Sequence, residues 1–163
     1  MKNFYSTGDN LVFVASQIVA PQHASGDTYT NLVGPGEGAT TPINLVEDGD
    51  PCVIGRVVGV SNSDAVFATD AIVVSTRGVY SLSVKANYGA GIHYGETVYI
   101  DPVAATLSDN SAGIPYGCVV LANGGSASGP DAIAVPVGST STVLVKLFGQ
   151  TPDSNGYQGG IGS

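Results

Sequence analysis

The sequence predicts an all-β protein, folded as a small β-barrel or β-sandwich with short hairpins. Short runs rich in Val and Ile recur along its 163 residues, and Gly, Pro, Asn and Asp separate them. Long windows with apolar residues at helical spacing are nearly absent, and strong helix formers are scarce. Many short strands in one chain of this length are typical of a sandwich or a barrel.

The Val- and Ile-rich runs define the predicted strands, in chain order. They cover residues 11–20, 43–46, 52–60, 65–68, 71–75, 79–85, 96–100, 105–107, 117–122, 132–137 and 142–147. In the last run, Val143, Val145 and Leu147 alternate with Lys146, so the apolar side chains share one face and Lys146 is expected at water or at a rim.

Turn residues between neighbouring runs predict three hairpins. They join 71–75 to 79–85 across Thr76-Arg77-Gly78, 96–100 to 105–107 across "DPVA", and 117–122 to 132–137 across "NGGSASGPD". Before the run at 52–60, Asp50-Pro51 predicts a turn, and Pro51 begins the strand where its missing N–H costs least. Gly55 and Gly59 are expected to let that strand coil or bulge.

The chain is long enough for one domain, which we place at residues 1–148. Residues 21–42 are rich in Gly, Thr and Pro, and they predict a long polar insertion loop. Residues 149–163 are of low complexity and predict a flexible tail. No internal repeat and no linker between domains is visible.

The charge distribution argues against polyanionic partners. Charged residues make up only 11% of the chain, the formal net charge is −8, and the five basic residues stand singly. Binding to nucleic acid needs clustered Lys and Arg, and an acidic exterior also repels anionic lipid. We therefore expect neither nucleic acid nor a membrane as a partner. A surface of Gly, Ser, Thr, Asn and Ala favours a protein that works inside an assembly.

No targeting, metal or disulfide signature is present. No run reaches signal-peptide or membrane-span length, so we expect synthesis in the cytoplasm as a soluble protein, unless a dedicated secretion route exports it. Cys52 and Cys118 are interpreted as free thiols rather than one disulfide. His23 and His93 stand far apart and no Cys-x-x-Cys occurs, so we expect no metal and no cofactor.

Four short motifs that suggest chemistry have better structural interpretations. "GPGEGA" lacks the helix and the Lys-Ser/Thr of a phosphate loop, and "EDGD" lacks the further ligands of a calcium loop. "GSASG" places Ala127 where a nucleophile elbow needs Ser. "HYGE" offers His93 and Glu96 as the best candidates for a small hydrolase, but no third polar partner is visible. We therefore predict that the protein is not an enzyme.

Several segments resemble the small capsid cement, or head decoration, proteins of tailed bacteriophages. They are the opening "MKNFYSTGDNLVFVAS", "GDPCVIGRVVGVSNSDA", "RGVYSLSVKA", "YGETVYIDPVAATLSD", "IPYGCVV" and the closing "TVLVKL". Each is weak alone, but together they occur in the order and spacing of that family from Met1 to Leu147. The departures are the 21–42 insertion, the "NGGSASGPD" tip and the tail.

The resemblance implies a structural virion protein on the capsid exterior. It would form a homotrimer, bind the major capsid protein and stabilise the head without chemistry. Because Tyr suits protein contacts, we expect an interface that includes Lys2, Asn3, Phe4, Tyr5, Tyr94 and Tyr99. The alternative function is a receptor- or carbohydrate-binding β module on the virion surface, which exposed hairpin tips and tyrosines also allow.

Overall fold

The computed structural model describes residues 10–21, 45–121 and 132–149, and within them it confirms the all-β prediction. These residues form eleven strands, one 3-10 turn at Ala15–Gln17 and no α-helix. The strands are β1 (Asn10–Val14), β2 (Pro51–Ile54), β3 (Val57–Ser61), β4 (Ala71–Ser75), β5 (Val79–Lys85), β6 (Gly91–His93), β7 (Thr97–Ile100), β8 (Leu107–Ser108), β9 (Ile114–Val120), β10 (Ile133–Pro136) and β11 (Thr140–Leu147).

The strands form a closed barrel and two further sheets. The barrel has the order β11-β5-β8-β7-β9, a four-stranded sheet has the order β1-β4-β3-β2, and β10 pairs with β6 alone. All pairings are antiparallel except that of β5 with β8. Closure leaves the barrel without the long free edges of an open sheet.

Alternation of side chains along the barrel strands builds its interior. In β5, Leu82 and Val84 are buried while Ser81, Ser83 and Lys85 between them are exposed. On β11, Val145 and Leu147 are buried and Lys146 is exposed, as the sequence predicts. This period of two is what a strand with one apolar face requires.

The four-stranded sheet has a hydrophobic cluster on each face. Val53, Val58 and Val60 belong to the cluster that also fills the barrel, so this face of β2 and β3 packs on the barrel. Cys52, Ile72 and Val74 point to the opposite face and pack with residues outside the sheet, namely Ala15, Val46 and Ala65. A strand can contribute side chains to a hydrophobic cluster on each face only if the residues on both faces are apolar.

The prediction of one coiled strand over 52–60 was wrong. This segment is the hairpin of β2 and β3, in which Val53 pairs with Val58 and Ile54 with Val57. Gly55 has φ +59, a left-handed conformation that suits Gly in a two-residue hairpin turn. Pro51 does begin a strand, as predicted, and that strand is the last one in the order of its sheet.

Of the three predicted hairpins, only the one across "DPVA" is confirmed, with Ile100 paired to Leu107. The segments 71–75 and 79–85 are β4 and β5, which lie in different sheets, and Gly78 at φ +121 redirects the chain between them. Likewise, β9 pairs with β7 and β11, whereas β10 pairs with β6. In both cases the two strands beside the turn signal pair with other strands, so the turn signal did not specify the pairing.

Several predicted strands are shorter in the structure. The run 11–20 ends at Val14, and of its remainder only Val19 pairs, with Val53. In 43–46 and 65–68, the one described pairing is the bridge between Val46 and Ala65. Strand β6 was not predicted. Residues 22–42 of the predicted insertion and 150–163 of the predicted tail lie outside the described residues.

Candidate interaction surface

The predicted interface residues occupy different settings. Lys2, Asn3, Phe4 and Tyr5 lie outside the described residues. Tyr94 is half-buried and packs against the barrel core. Tyr99 is also half-buried, but it lies on the outer wall of β7, between Val98 and Ile100, which are both fully buried. The role of these residues at an interface stays a prediction.

Strand register reveals a different apolar surface, on the four-stranded sheet. Val12 pairs with Val73 and Val14 with Ala71, so these four side chains share one face of β1 and β4. Continuing across the sheet, Ser75 pairs with Val60 of β3, which packs on the barrel. The four residues therefore extend the barrel-packing face beyond the barrel, and we call them the overhang patch.

The overhang patch is exposed and uncharged. Val12 is 67% exposed and Val14 38%, Ala71 is exposed and Val73 is half-buried. On the opposite face of the same strands, Ile72 and Val74 are fully buried. The sequences NLVFV and AIVVS thus place apolar side chains on both faces, although only one face is covered within the described part of the chain.

The overhang patch includes the edge strand β1. At the other edge of the sheet, Val19 covers β2 by exchanging backbone hydrogen bonds of 3.0 and 3.1 Å with Val53. Along β1, the Gln17 side-chain oxygen accepts the Val14 N–H at 3.0 Å, which caps the edge at that end. An uncharged apolar edge strand is a surface on which another chain can pair or pack.

Sequence reasoning missed the overhang patch, although the sequence carries a signal for it. A strand exposed on one face alternates apolar with polar residues, whereas a continuous apolar run indicates burial on both faces. Residues 11–14 and 71–74 are continuous apolar runs. Their register, which places Val12 beside Val73, is not visible in the sequence.

The carboxylates of the acidic motifs accept hydrogen bonds from nearby backbone N–H groups. Glu96 accepts the His93 N–H at 2.7 Å with one carboxylate oxygen, and its other oxygen lies 3.4 Å from His93 Nδ1. Asp50 accepts the Glu47 N–H at 2.8 Å, which fits the interpretation of "EDGD" as a turn. Among the described residues, no group of three or more His, Cys, Asp or Glu side chains is placed to hold a metal ion.

Two buried titratable groups, Cys52 and Tyr116, are held neutral by their surroundings. Cys52 and Cys118 are both free thiols, as predicted. Burial and the nearby Asp50 raise the pKa of Cys52 to about 12, so its thiol is inert at neutral pH. Burial likewise raises the pKa of Tyr116, whose hydroxyl donates to the Gly59 carbonyl at 2.6 Å. Neither group is placed to act as a nucleophile or an acid.

Comparison with known protein families shows the family to which the chain belongs. The model of one family, described as phage cement protein, matches residues 33–137, which is more than half of the chain. The chain belongs to the phage cement protein family. As a phage cement protein it has a structural, capsid-associated role, which agrees with the sequence resemblance.

The remaining comparisons add no relative. No curated protein and no solved structure matches the chain. Within the described residues of this cement protein, no helix combines the length and the apolar character that crossing a membrane requires.

Proposed function

We propose that this cement protein assembles as a homotrimer, binds the outer surface of the phage head and stabilises the shell. Membership of the cement family supports the capsid as its partner. The single structural observation that carries the proposal is the overhang patch, a continuation of the protein's own core-packing face that the described residues leave uncovered. A protein of this kind needs no catalysis, cofactor or nucleic acid for its function.

We assign the overhang patch to the contact between copies. This contact would remove four apolar side chains on one sheet face from water. Their burial would stabilise the trimer by about 25 cal/mol per Å² of apolar surface buried. A threefold ring closes when each copy presents this patch to a different patch of the next copy, so the contact is heterologous. The trimer would also protect the uncharged edge of β1 from indiscriminate pairing.

Binding to the assembled shell would stabilise it by mass action. A ligand that prefers the assembled state shifts the equilibrium toward that state by an amount set by its concentration relative to its Kd. A standard protein interface buries about 1,600 Å² in total. Because many copies bind one head, the stabilisation free energy from each contact adds up over the shell. The shell then resists expansion forces without any chemical step.

The first test measures the assembly of the protein alone. Light scattering coupled to size exclusion should give three times the 16.3 kDa chain mass for the unsubstituted protein. Val12→Asp places a charge in the overhang patch and should lower that mass toward one chain. Val137→Asp is the matched control, because Val137 is 49% exposed but lies outside the patch. Equal masses for both variants would contradict the assignment of the patch.

The second test measures the shell. Heads of the encoding phage, assembled without this protein, should bind it from solution and then break open at a higher temperature. Binding to host cells or to a glycan array without binding to heads would favour the receptor- or carbohydrate-binding alternative. A monomer with no affinity for heads would overturn the proposed function.

A further inference from the structure

A groove runs along one side of the barrel, and none of the four residues of the overhang patch lines it. It encloses about 770 Å³. One wall is the stretch Ser81–Leu82–Ser83 of β5, the second is the β7–β8 turn with residues of the loop that precedes β9, and the third is formed by Asp50, Pro51 and Pro21. Three consecutive residues of one strand line the groove, so it exposes the backbone of β5 as well as side chains.

The groove exists because β8 is too short to cover β5. Strand β5 has seven residues, but β8 has two, and within β5 it pairs only with Val84 and Lys85. Before β8, the Asp101 N–H donates to the Thr106 carbonyl at 2.9 Å, and Ala105 has φ +53. These features turn the chain away, so β8 cannot extend backward beside Ser83. Among the described residues, no strand pairs with β5 on this side before Val84.

The hydrogen-bonding pattern shows which backbone groups face the groove. At the two ends of β5, the Gly78 carbonyl accepts the Leu147 N–H and the Ala86 N–H donates to the Ser139 carbonyl, each at 3.0 Å. Backbone groups of successive strand residues point to alternate sides, so the even-numbered residues between them bond to β11. The N–H and C=O groups of Ser81 and the N–H of Ser83 therefore point into the groove, whereas the Ser83 C=O accepts the Leu107 N–H in the parallel pairing of Val84 with Leu107.

The side chains around these backbone groups define the ligand. The floor is apolar, because Leu82, Ala105 and Leu107 are buried there. The charged side chains that line the groove are the buried Asp50 and the exposed Asp101 and Lys85, so carboxylates outnumber ammonium groups. Two backbone amide hydrogen bonds lower the pKa of Asp101, so this exposed carboxylate is ionised at neutral pH.

We propose that this groove receives an extended, uncharged or basic segment of the major capsid protein, which adds a strand to β5 at Ser81 and Ser83. The inference rests on the proposed function and specifies how the cement protein binds the shell. Backbone hydrogen bonds supply affinity, and the apolar floor and the excess of carboxylates in the lining select the segment. We assign the segment to the shell because every described strand of a second copy is already part of a barrel or sheet.

The main test removes the backbone donor. Ser83→Pro eliminates an N–H that points into the groove and leaves the ladder with β11 intact, because Pro is tolerated where a strand's N–H faces outward. Thr142→Pro is the matched control. Thr142 is the cross-strand partner of Ser83, is also exposed, and its N–H points to the opposite edge, outside the groove.

Ser83→Pro should weaken binding to heads by about tenfold or more, and Thr142→Pro should bind as the unsubstituted protein does. Thermal unfolding of both variants checks that each is folded. If Ser83→Pro does not fold, Ala112→Arg tests the groove without altering a strand, since Ala112 lies at its rim. Its control is Ser111→Arg, an exposed neighbour outside the groove.

Hydrogen exchange measures the protection of individual backbone amides, and a general loss of affinity would not change that protection at Ser81 and Ser83 alone. In the free protein, the Ser81 and Ser83 amides should exchange fast and those of Leu82 and Val84 slowly. On heads, the first two should become protected. Binding with these two amides still fast, or unchanged affinity of Ser83→Pro and Ala112→Arg, overturns the groove assignment alone. Absence of binding by the unsubstituted protein instead overturns the proposed function.

Discussion

The hydroxyl of Tyr116 donates a hydrogen bond of 2.6 Å to the carbonyl of Gly59, which lies 57 residues away in the chain. Tyr116 belongs to barrel strand β9 and Gly59 to β3 of the four-stranded sheet, so this bond joins the two main units of the fold. Tyr116 is fully buried. A buried phenol needs a partner for its O–H, and the sheet backbone provides one.

Tyr116→Phe should lower the free energy of unfolding by about 1–2 kcal/mol, because it removes this bond and leaves the ring in place. Urea denaturation followed by circular dichroism measures the change. Tyr80→Phe is the control, since the half-buried Tyr80 hydroxyl donates to the Arg77 carbonyl at 3.2 Å near solvent. If both variants lose the same small amount, the bond between barrel and sheet is not a special contributor.

Gly59 is required for a second reason, the close approach of β4. A Cβ at this position would lie 2.5 Å from both the Ser75 carbonyl oxygen and Val74 Cγ1. Gly59→Ala should therefore destabilise the fold by roughly 2 kcal/mol or more, as overpacking of a buried site does. Gly89→Ala separates sterics from backbone strain, because Gly89 has φ +60 but open space around it. We expect about 1 kcal/mol there, and a Gly59→Ala loss no larger than that would contradict the steric argument.

Much of this fold can be predicted from the sequence, because the signals for its strands and turns lie within short segments. Val- and Ile-rich runs locate most of the strands, and Pro51 marks the start of one of them. The DPVA hairpin was predicted because Asp101 organises its own turn, accepting the Val103 and Ala104 N–H groups at 2.7 and 2.8 Å. In contrast, the pairing of β5 with β11 joins residues about 60 positions apart, and no turn signal specifies it.

The candidate site was harder to predict than the fold, for a related reason. Tyrosines are visible in the sequence as residues suited to interfaces, but Tyr94 packs into the barrel core. The overhang patch depends on register, because Val12 is exposed as a result of the position of β1 beyond the barrel. The groove depends on a missing partner, since β8 stops short of Ser83. Neither property belongs to any one segment of the sequence.

Asp101 should titrate below the ordinary Asp value of 3.8, because the Ala104 and Val103 N–H groups bond to its ionised form. A lowered pKa in the folded state means that this contribution to stability is present above 3.8 and is lost as the pH falls through the folded value. NMR titration should show the Val103 and Ala104 amides moving with a midpoint below that of Asp in an unstructured peptide. A midpoint at or above the peptide value would contradict the turn geometry.

Cys52 gives the opposite pH dependence, on the alkaline side. Its pKa rises from 9.0 to about 12, first because it is buried and second because Asp50 is near. Between pH 9 and 12 the unfolded chain loses this proton and the folded chain keeps it, so stability falls as the pH rises. The slope from this group is about 1.4 kcal/mol per pH unit in that window, and its contribution is complete below pH 9.

Cys52→Ala should flatten the fall in stability between pH 9 and 12, at a cost of about 1 kcal/mol at neutral pH from the lost sulfur and its bond to the Asp50 carbonyl. Denaturant midpoints across that range measure the slope in both proteins. The ionisation itself can be followed by thiolate absorbance in a Cys118→Ala background, which leaves Cys52 as the single thiol. A thiolate that appears near pH 9 in the folded protein would mean that water reaches Cys52, and the packing of Cys52 with Ile72 and Val74 would then be wrong.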